Sequence, residues 1–104
     1  MPYTVEYGLR KYIEVLRSNY SGTIADMLKF DVVSCDEEND NYVLRCKTEP
    51  WMCNHYGTLH GGICATILDQ AMGMVCSCLK KGYGSCTTVQ LETDYHRPIP
   101  PGDE

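Results

Sequence analysis

The chain is short of phenylalanine, tryptophan and positive charge. It has one phenylalanine, one tryptophan and three histidines, and nine Lys and Arg stand against fourteen Asp and Glu. The net charge is −5, and no Lys/Arg block exceeds the pair Lys80-Lys81. Phosphate backbones are bound by basic surfaces, so no nucleic-acid partner is expected. The opening "MPYTVEYGLRKY" lacks the apolar core of an export signal. No run approaches membrane-spanning length, so no membrane partner is expected either, and the expected compartment is the cytoplasm. Repeats and low-complexity tracts are missing too.

Cysteine, by contrast, is plentiful: seven, at 35, 46, 53, 64, 76, 78 and 86. The count is odd, no export signal accompanies it, and most of the thiols fall inside apolar patterns. They read as small hydrophobes kept reduced, and the sequon at Asn19 is set aside on the same ground. At 104 residues, with 43% hydrophobic and 22% charged, the chain is expected to form one domain, 1–104, with one modest core.

Val5, Leu9, Tyr12, Ile13 and Leu16 recur at helical spacing, which predicts an amphipathic helix over 4–19. A short helical turn is expected at Ile24–Leu28. "FDVVSC" and "NYVLRCKT" flank the turn-prone "DEEND" and predict a β-hairpin. "EPWMCNHYGTLHGG" is a loop by its proline and glycine content. A long central helix follows over about 62–79, with Ile63, Ile67, Ala71, Met74, Val75 and Cys78 on one face. Its lack of charge predicts that it is mostly buried. "SCTTVQLETDYHRP" then puts Val89, Leu91, Thr93 and Tyr95 on one side of a strand. The fold class is α+β, with few strands to cover so apolar a helix.

The chemistry concentrates in "NHYGTLHGG". Gly61 and Gly62 let a ligand approach the backbone closely at a helix start, where unpaired N–H groups and the positive end of the dipole point outward. A carbonyl oxygen gaining charge, or an anion, would be stabilised there; the bland alternative is a tight entry into the helix. Asp69 lies among Ile67, Leu68, Ala71 and Met72, where a carboxylate is costly to bury unless it is bonded or functional. It sits roughly 12 Å along the axis from the N-terminal donors of its own helix. Both features can serve one substrate only if two antiparallel copies of the helix face each other, in a two-fold dimer whose sites are built from both chains.

The run Asn54-x-x-Gly57-x-x-His60-Gly61-Gly62 followed by Asp69, together with "VQLETDYHRPIPPGD", resembles the hotdog-fold acyl-CoA thioesterases of the phenylacetate-degradation (PaaI-like) and 4-hydroxybenzoyl-CoA type. The resemblance covers about 27–104. It implies a hotdog fold, an antiparallel sheet wrapped round a central helix, assembled as a homodimer or homotetramer. It also implies hydrolysis of an acyl-CoA thioester with no cofactor and no metal. Carried over, the Gly61 N–H polarises the thioester carbonyl, His60 shapes that pocket and Asn54 orients the substrate or water. Asp69 of the partner chain is nucleophile or general base, and Thr88 holds the water, with Thr87 the alternative if the register shifts by one. Gly57 and Gly62 complete the substrate-binding set. The family continues past "PPGD" into two further strands, so the chain reads as C-terminally truncated. The rival reading is a non-catalytic remnant that dimerises or binds acyl thioesters without turnover. A second rival takes Cys53, His55, His60 and Cys64 as zinc ligands, at a spacing that matches no common zinc pattern.

Overall fold

The computed structural model describes residues 3–79 and 90–103. Helix α1 spans Val5–Asn19. Thr4 starts it, its hydroxyl accepting from the Tyr7 N–H at 3.1 Å, and Glu6 and Arg17 sit at the ends of the dipole that favour their charges. The Glu37 carboxylate also reaches across to accept from the Val5 N–H at 2.8 Å. After the single turn α2, Ile24–Met27, come β1, Asp31–Asp36, and β2, Asn41–Arg45. These two pair antiparallel, Asp31 opposite Arg45 and Asp36 opposite Asn41, with a bulge between Val32 and Ser34. The acidic turn closes through Asp36, whose carboxylate accepts from the Asn39 amide group at 2.8 Å. These bonds to Asn39 hold its carboxyl below the usual range.

A short 3-10 turn at Pro50–Met52 leads into the glycine-rich loop, and α3 runs from Gly61 to Leu79. The core is small. Leu9, Leu28, Met52 and Met74 are fully buried, with Val5, Phe30 and Cys78 nearly so. Each such side chain contributes about 2 kcal/mol relative to exposure. Ile63, Ile67, Ala71 and Val75 pack against this cluster, so the face read from the periodicity is the one turned inward. At the far end of α3 the Tyr3 hydroxyl donates to the Cys78 carbonyl at 2.8 Å, tying the N-terminal segment over it.

Three expectations need correcting. First, α3 is not mostly buried: only Met74 and Cys78 are, while Leu68, Met72 and Leu79 are 42%, 55% and 47% exposed. Among the described residues a two-stranded sheet and one flanking helix are too little to cover it. Second, α3 has 19 residues at a mean hydropathy of 1.5, long and apolar enough by those measures to cross a membrane, contrary to the sequence reading. The core helix of a sheet-wrapped fold meets the same measures. Third, residues 90–97 form no strand, because they find no ladder partner among the described residues. Residues 99–103 turn back instead and bond to Leu59 and Thr48.

Candidate active site

Asn54 organises the loop ahead of α3. Its Oδ1 accepts from the N–H of Tyr56 at 3.0 Å, the N–H of Thr58 at 3.2 Å and the hydroxyl of Thr58 at 3.3 Å. The Asn54 backbone accepts from Gly57 and donates to Thr58. The turn needs a left-handed residue at Gly57, whose φ is +83°. Asparagine suits this task because its carbonyl mimics a backbone acceptor two residues back. The side-chain oxygen is therefore spent on loop shape, and the Nδ2 group takes no part in those bonds.

His60 lies at the entry to α3. Its carbonyl accepts from the Cys64 N–H at 2.9 Å, its own N–H donates to Met52 at 2.9 Å, and its Nδ1 accepts from the Gly62 N–H at 2.9 Å. The side chain thus caps the helix as Asn or Ser would. An accepting Nδ1 places the proton of the neutral ring on Nε2. One consequence modifies the sequence reading: the Gly62 N–H is turned to His60, whereas the Gly61 N–H makes no hydrogen bond among the described residues. Of the two glycines, Gly61 keeps the outward donor.

Tyr95, which the sequence placed on a strand face with no role, comes to this point. Its hydroxyl donates to the Gly61 carbonyl at 2.7 Å, and a Cβ at Gly61 would lie 3.7 Å from its ring. The motif "DYHRP" was visible; that its tyrosine returns to the helix start was not. Beside it lies a cleft of about 400 Å³, lined by Thr58, Leu59, Cys64, Tyr95, Arg97 and Ile99 among others.

Asp69 is half-buried in the third turn of α3 and does not line that cleft. At about 100° per residue, Leu68, Met72 and Leu79 fall within about 40° of arc, and Asp69 lies about 60° beyond Met72. The acid therefore borders the uncovered apolar stripe. A second groove, of about 550 Å³, runs along α3 between Met72, Val75 and Leu79 and the Val43–Leu44 edge of β2. The structure brings together Asn54, Gly57, His60, Gly61 and Gly62, and leaves Asp69 apart on the same helix. Thr87 and Thr88 lie outside the described residues. Cys53, His55, His60 and Cys64 form no group close enough to hold a metal ion among the described residues.

Two elements mark this arrangement: a glycine-entered apolar helix with a single carboxylate, packed in an α+β fold, and a strap carrying "YHRP" over its start. The thioesterase superfamily pattern matches residues 56–104, the segment that holds all of these, and the chain has the hotdog fold. Two solved structures show this. Thioesterase superfamily member 2 from Mus musculus aligns at a TM-score of 0.70 and 25% identity, over 98% of this chain and 68% of that one. The PaaI protein of the phenylacetic acid degradation operon of E. coli aligns at 0.68 and 20% identity, over 95% of this chain and 67% of that one. No curated protein matches the chain by sequence. Superfamily segment and fold together support thioester hydrolysis as the general activity.

Proposed function

We propose that the chain hydrolyses an acyl-CoA thioester to the free acid and CoA, at a site completed by a second copy of itself. The observation that carries the reading is the division of the site along α3. A Gly61 N–H with no hydrogen bond among the described residues stands at the helix start, while Asp69 stands two turns on, at the edge of an apolar stripe left bare. Within one helix the two are roughly 12 Å apart, too far for one carbonyl and its attacker. Antiparallel pairing of two α3 helices with each Asp69 opposite the other chain's Gly61 overlaps residues 61–69 of both and covers Leu68 at the start of the bare stripe.

In this reading the thioester oxygen sits on the Gly61 N–H, where the helix dipole and the donor favour the charge that develops on it. The partner subunit's Asp69 attacks the carbonyl carbon or deprotonates the water that does. Asn54 and Gly57 hold the loop that presents His60, His60 orients the Gly61–Gly62 entry, and Thr88 or Thr87 holds the water. The sulfur leaves as the CoA thiolate and is protonated from solvent; where Asp69 attacks directly, the held water then hydrolyses the acyl–Asp69 anhydride, releasing the acid and restoring the carboxylate. The same reading places the chain in the cytoplasm. It fits Cys35, Cys46 and Cys78, which are free thiols raised in pKa above all by burial.

Steady-state assays on a panel of aromatic and medium-chain aliphatic CoA thioesters, with Asp69→Ala beside the wild type, test this. Turnover lost on substitution supports the hydrolase. Retained binding without turnover in the wild type supports the alternative, a hotdog chain that binds acyl thioesters only.

A further inference from the structure

We propose that Tyr95 is a positioning residue for the reaction: its hydroxyl and the His60 imidazole together clamp the peptide between Gly61 and Gly62, and so fix the direction of the Gly61 N–H. The inference rests on the thioesterase reading above and assigns a role to a side chain that reading does not use.

The argument begins with the peptide as a rigid unit. Its carbonyl (Gly61 O) and its N–H (Gly62 N) lie in one plane, and the bond between them does not rotate. Both ends are held by side chains from outside the helix. Tyr95 donates to the carbonyl at 2.7 Å, and His60 Nδ1 accepts from the N–H at 2.9 Å. A carbonyl has two lone pairs, so the tyrosine bond adds to the helical one rather than replacing it.

Clamping matters here because of the residue types. Gly61 and Gly62 have the widest backbone freedom in the chain's repertoire, and a helix entered through two glycines frays readily. The preceding plane carries the Gly61 N–H, the donor for the thioester oxygen, and Gly61's own dihedrals join the two planes. The His60 carbonyl, on the same plane as that N–H, accepts from the Cys64 N–H at 2.9 Å. With the 61–62 plane held as well, both planes flanking Gly61 are fixed and its dihedrals cannot swing the donor away. A donor contributes to transition-state stabilisation only when it is already aimed.

Tyr95 is itself held in place. Downstream, the Leu59 N–H donates to the Ile99 carbonyl at 2.8 Å, and Thr48 bonds to Pro100, Gly102 and Asp103. Pro98, Pro100 and Pro101 stiffen the strap between these anchors. The ring lies over Gly61, where a Cβ on residue 61 would meet it at ordinary van der Waals distance.

The test compares Tyr95→Phe and Tyr95→Leu with the wild type in two measurements: kcat and KM on the best-hydrolysed thioester of the panel, and hydrogen exchange with amide shifts of Gly61 and Gly62 by NMR. The clamp predicts a fall of about tenfold in kcat for Tyr95→Phe, less than loss of an oxyanion donor itself, with KM changed by less than about twofold and the melting midpoint retained. The Gly61 and Gly62 amides exchange faster, and Tyr95→Leu behaves much as Tyr95→Phe does. If Tyr95→Phe matches the wild type in kcat and in both amides, the proposal is overturned; a loss confined to Tyr95→Leu would assign the effect to ring packing and overturn it as well. A wild type that turns over no thioester sinks the hydrolase reading and with it any role in turnover, and the amide exchange then shows separately whether the clamp exists.

Discussion

The hydroxyl of Thr48 donates to the backbone carbonyl of Asp103 at 2.9 Å, across 55 positions of sequence, with the Pro100 carbonyl at 3.2 Å. Thr48 is the one buried polar residue among those described, 6% exposed, and its own N–H and carbonyl also bond to Asp103 and Gly102. This knot holds the far end of the strap that carries Tyr95 over the start of α3. Thr48→Val keeps the shape and the backbone bonds, so the Asp103 and Pro100 carbonyls retain the Thr48 and Asp103 N–H donors. Only the hydroxyl's bond is lost, which costs about 1 kcal/mol. A thermal melt should show a midpoint lower by about 4–8 °C for each kcal/mol lost.

Gly57 gives a second stability prediction of different origin. A Cβ there would meet nothing within 4 Å, so space is not the obstacle; the φ of +83° is. Gly57→Ala is expected to destabilise by about 1 kcal/mol through left-handed strain alone. The strain bears on the three-donor turn around Asn54, so a chemical-denaturation series should show a lower midpoint at unchanged slope. An alanine tolerated without loss would mean that the turn reshapes freely and does not fix His60.

Much of the fold was legible because its signals are local. Thr4 before a 3.6-residue apolar period defines α1, "DEEND" between alternating segments defines the hairpin, and the inward face of α3 follows from six residues at helical spacing. Of the candidate site, Asn54, Gly57, His60, Gly61 and Gly62 are close in sequence and were read together. What could not be read is non-local. Nothing in "DYHRPIPPGD" announces that Tyr95 returns to Gly61, or that Thr48 receives Asp103, because those bonds depend on where a strap lands after 34 and 55 residues. Val89, Leu91, Thr93 and Tyr95 alternate as a strand does, yet alternation states a preference and pairing needs a neighbour. The exposure of Leu68 and Met72 was missed for the same reason, since periodicity names the apolar face but not how much sheet is present to cover it.

The thiols supply a prediction in pH. Burial raises Cys46 and Cys78 above the ordinary value of 9.0, so their neutral form is favoured in the folded chain. A group whose folded pKa is raised binds its proton more tightly than the unfolded chain does. Its contribution is full below the unfolded value and is lost as pH rises through the folded one. The fold should therefore weaken above about pH 9, and the effect should shrink in Cys78→Ala. Near neutrality, iodoacetamide should label exposed Cys76 well before Cys46 or Cys78, as mass spectrometry of peptides would read.

The shared site makes the most specific claim, and two dead variants test it. Gly61→Pro removes the N–H donor while keeping a residue that the first helical position accepts. Asp69→Ala removes the acid two turns along. Each is expected to abolish turnover in its own homodimer, since every site then lacks one half. When both are unfolded together and refolded as a mixture, half of the dimers are mixed. In a mixed dimer one site carries both lesions and the other carries neither, so activity should return to about a quarter of the wild-type level. A site contained within one chain gives no such recovery, because every chain in the mixture carries one lesion. Measuring turnover against mixing ratio, with a maximum at equal parts, separates the two geometries without any structure of the assembled pair.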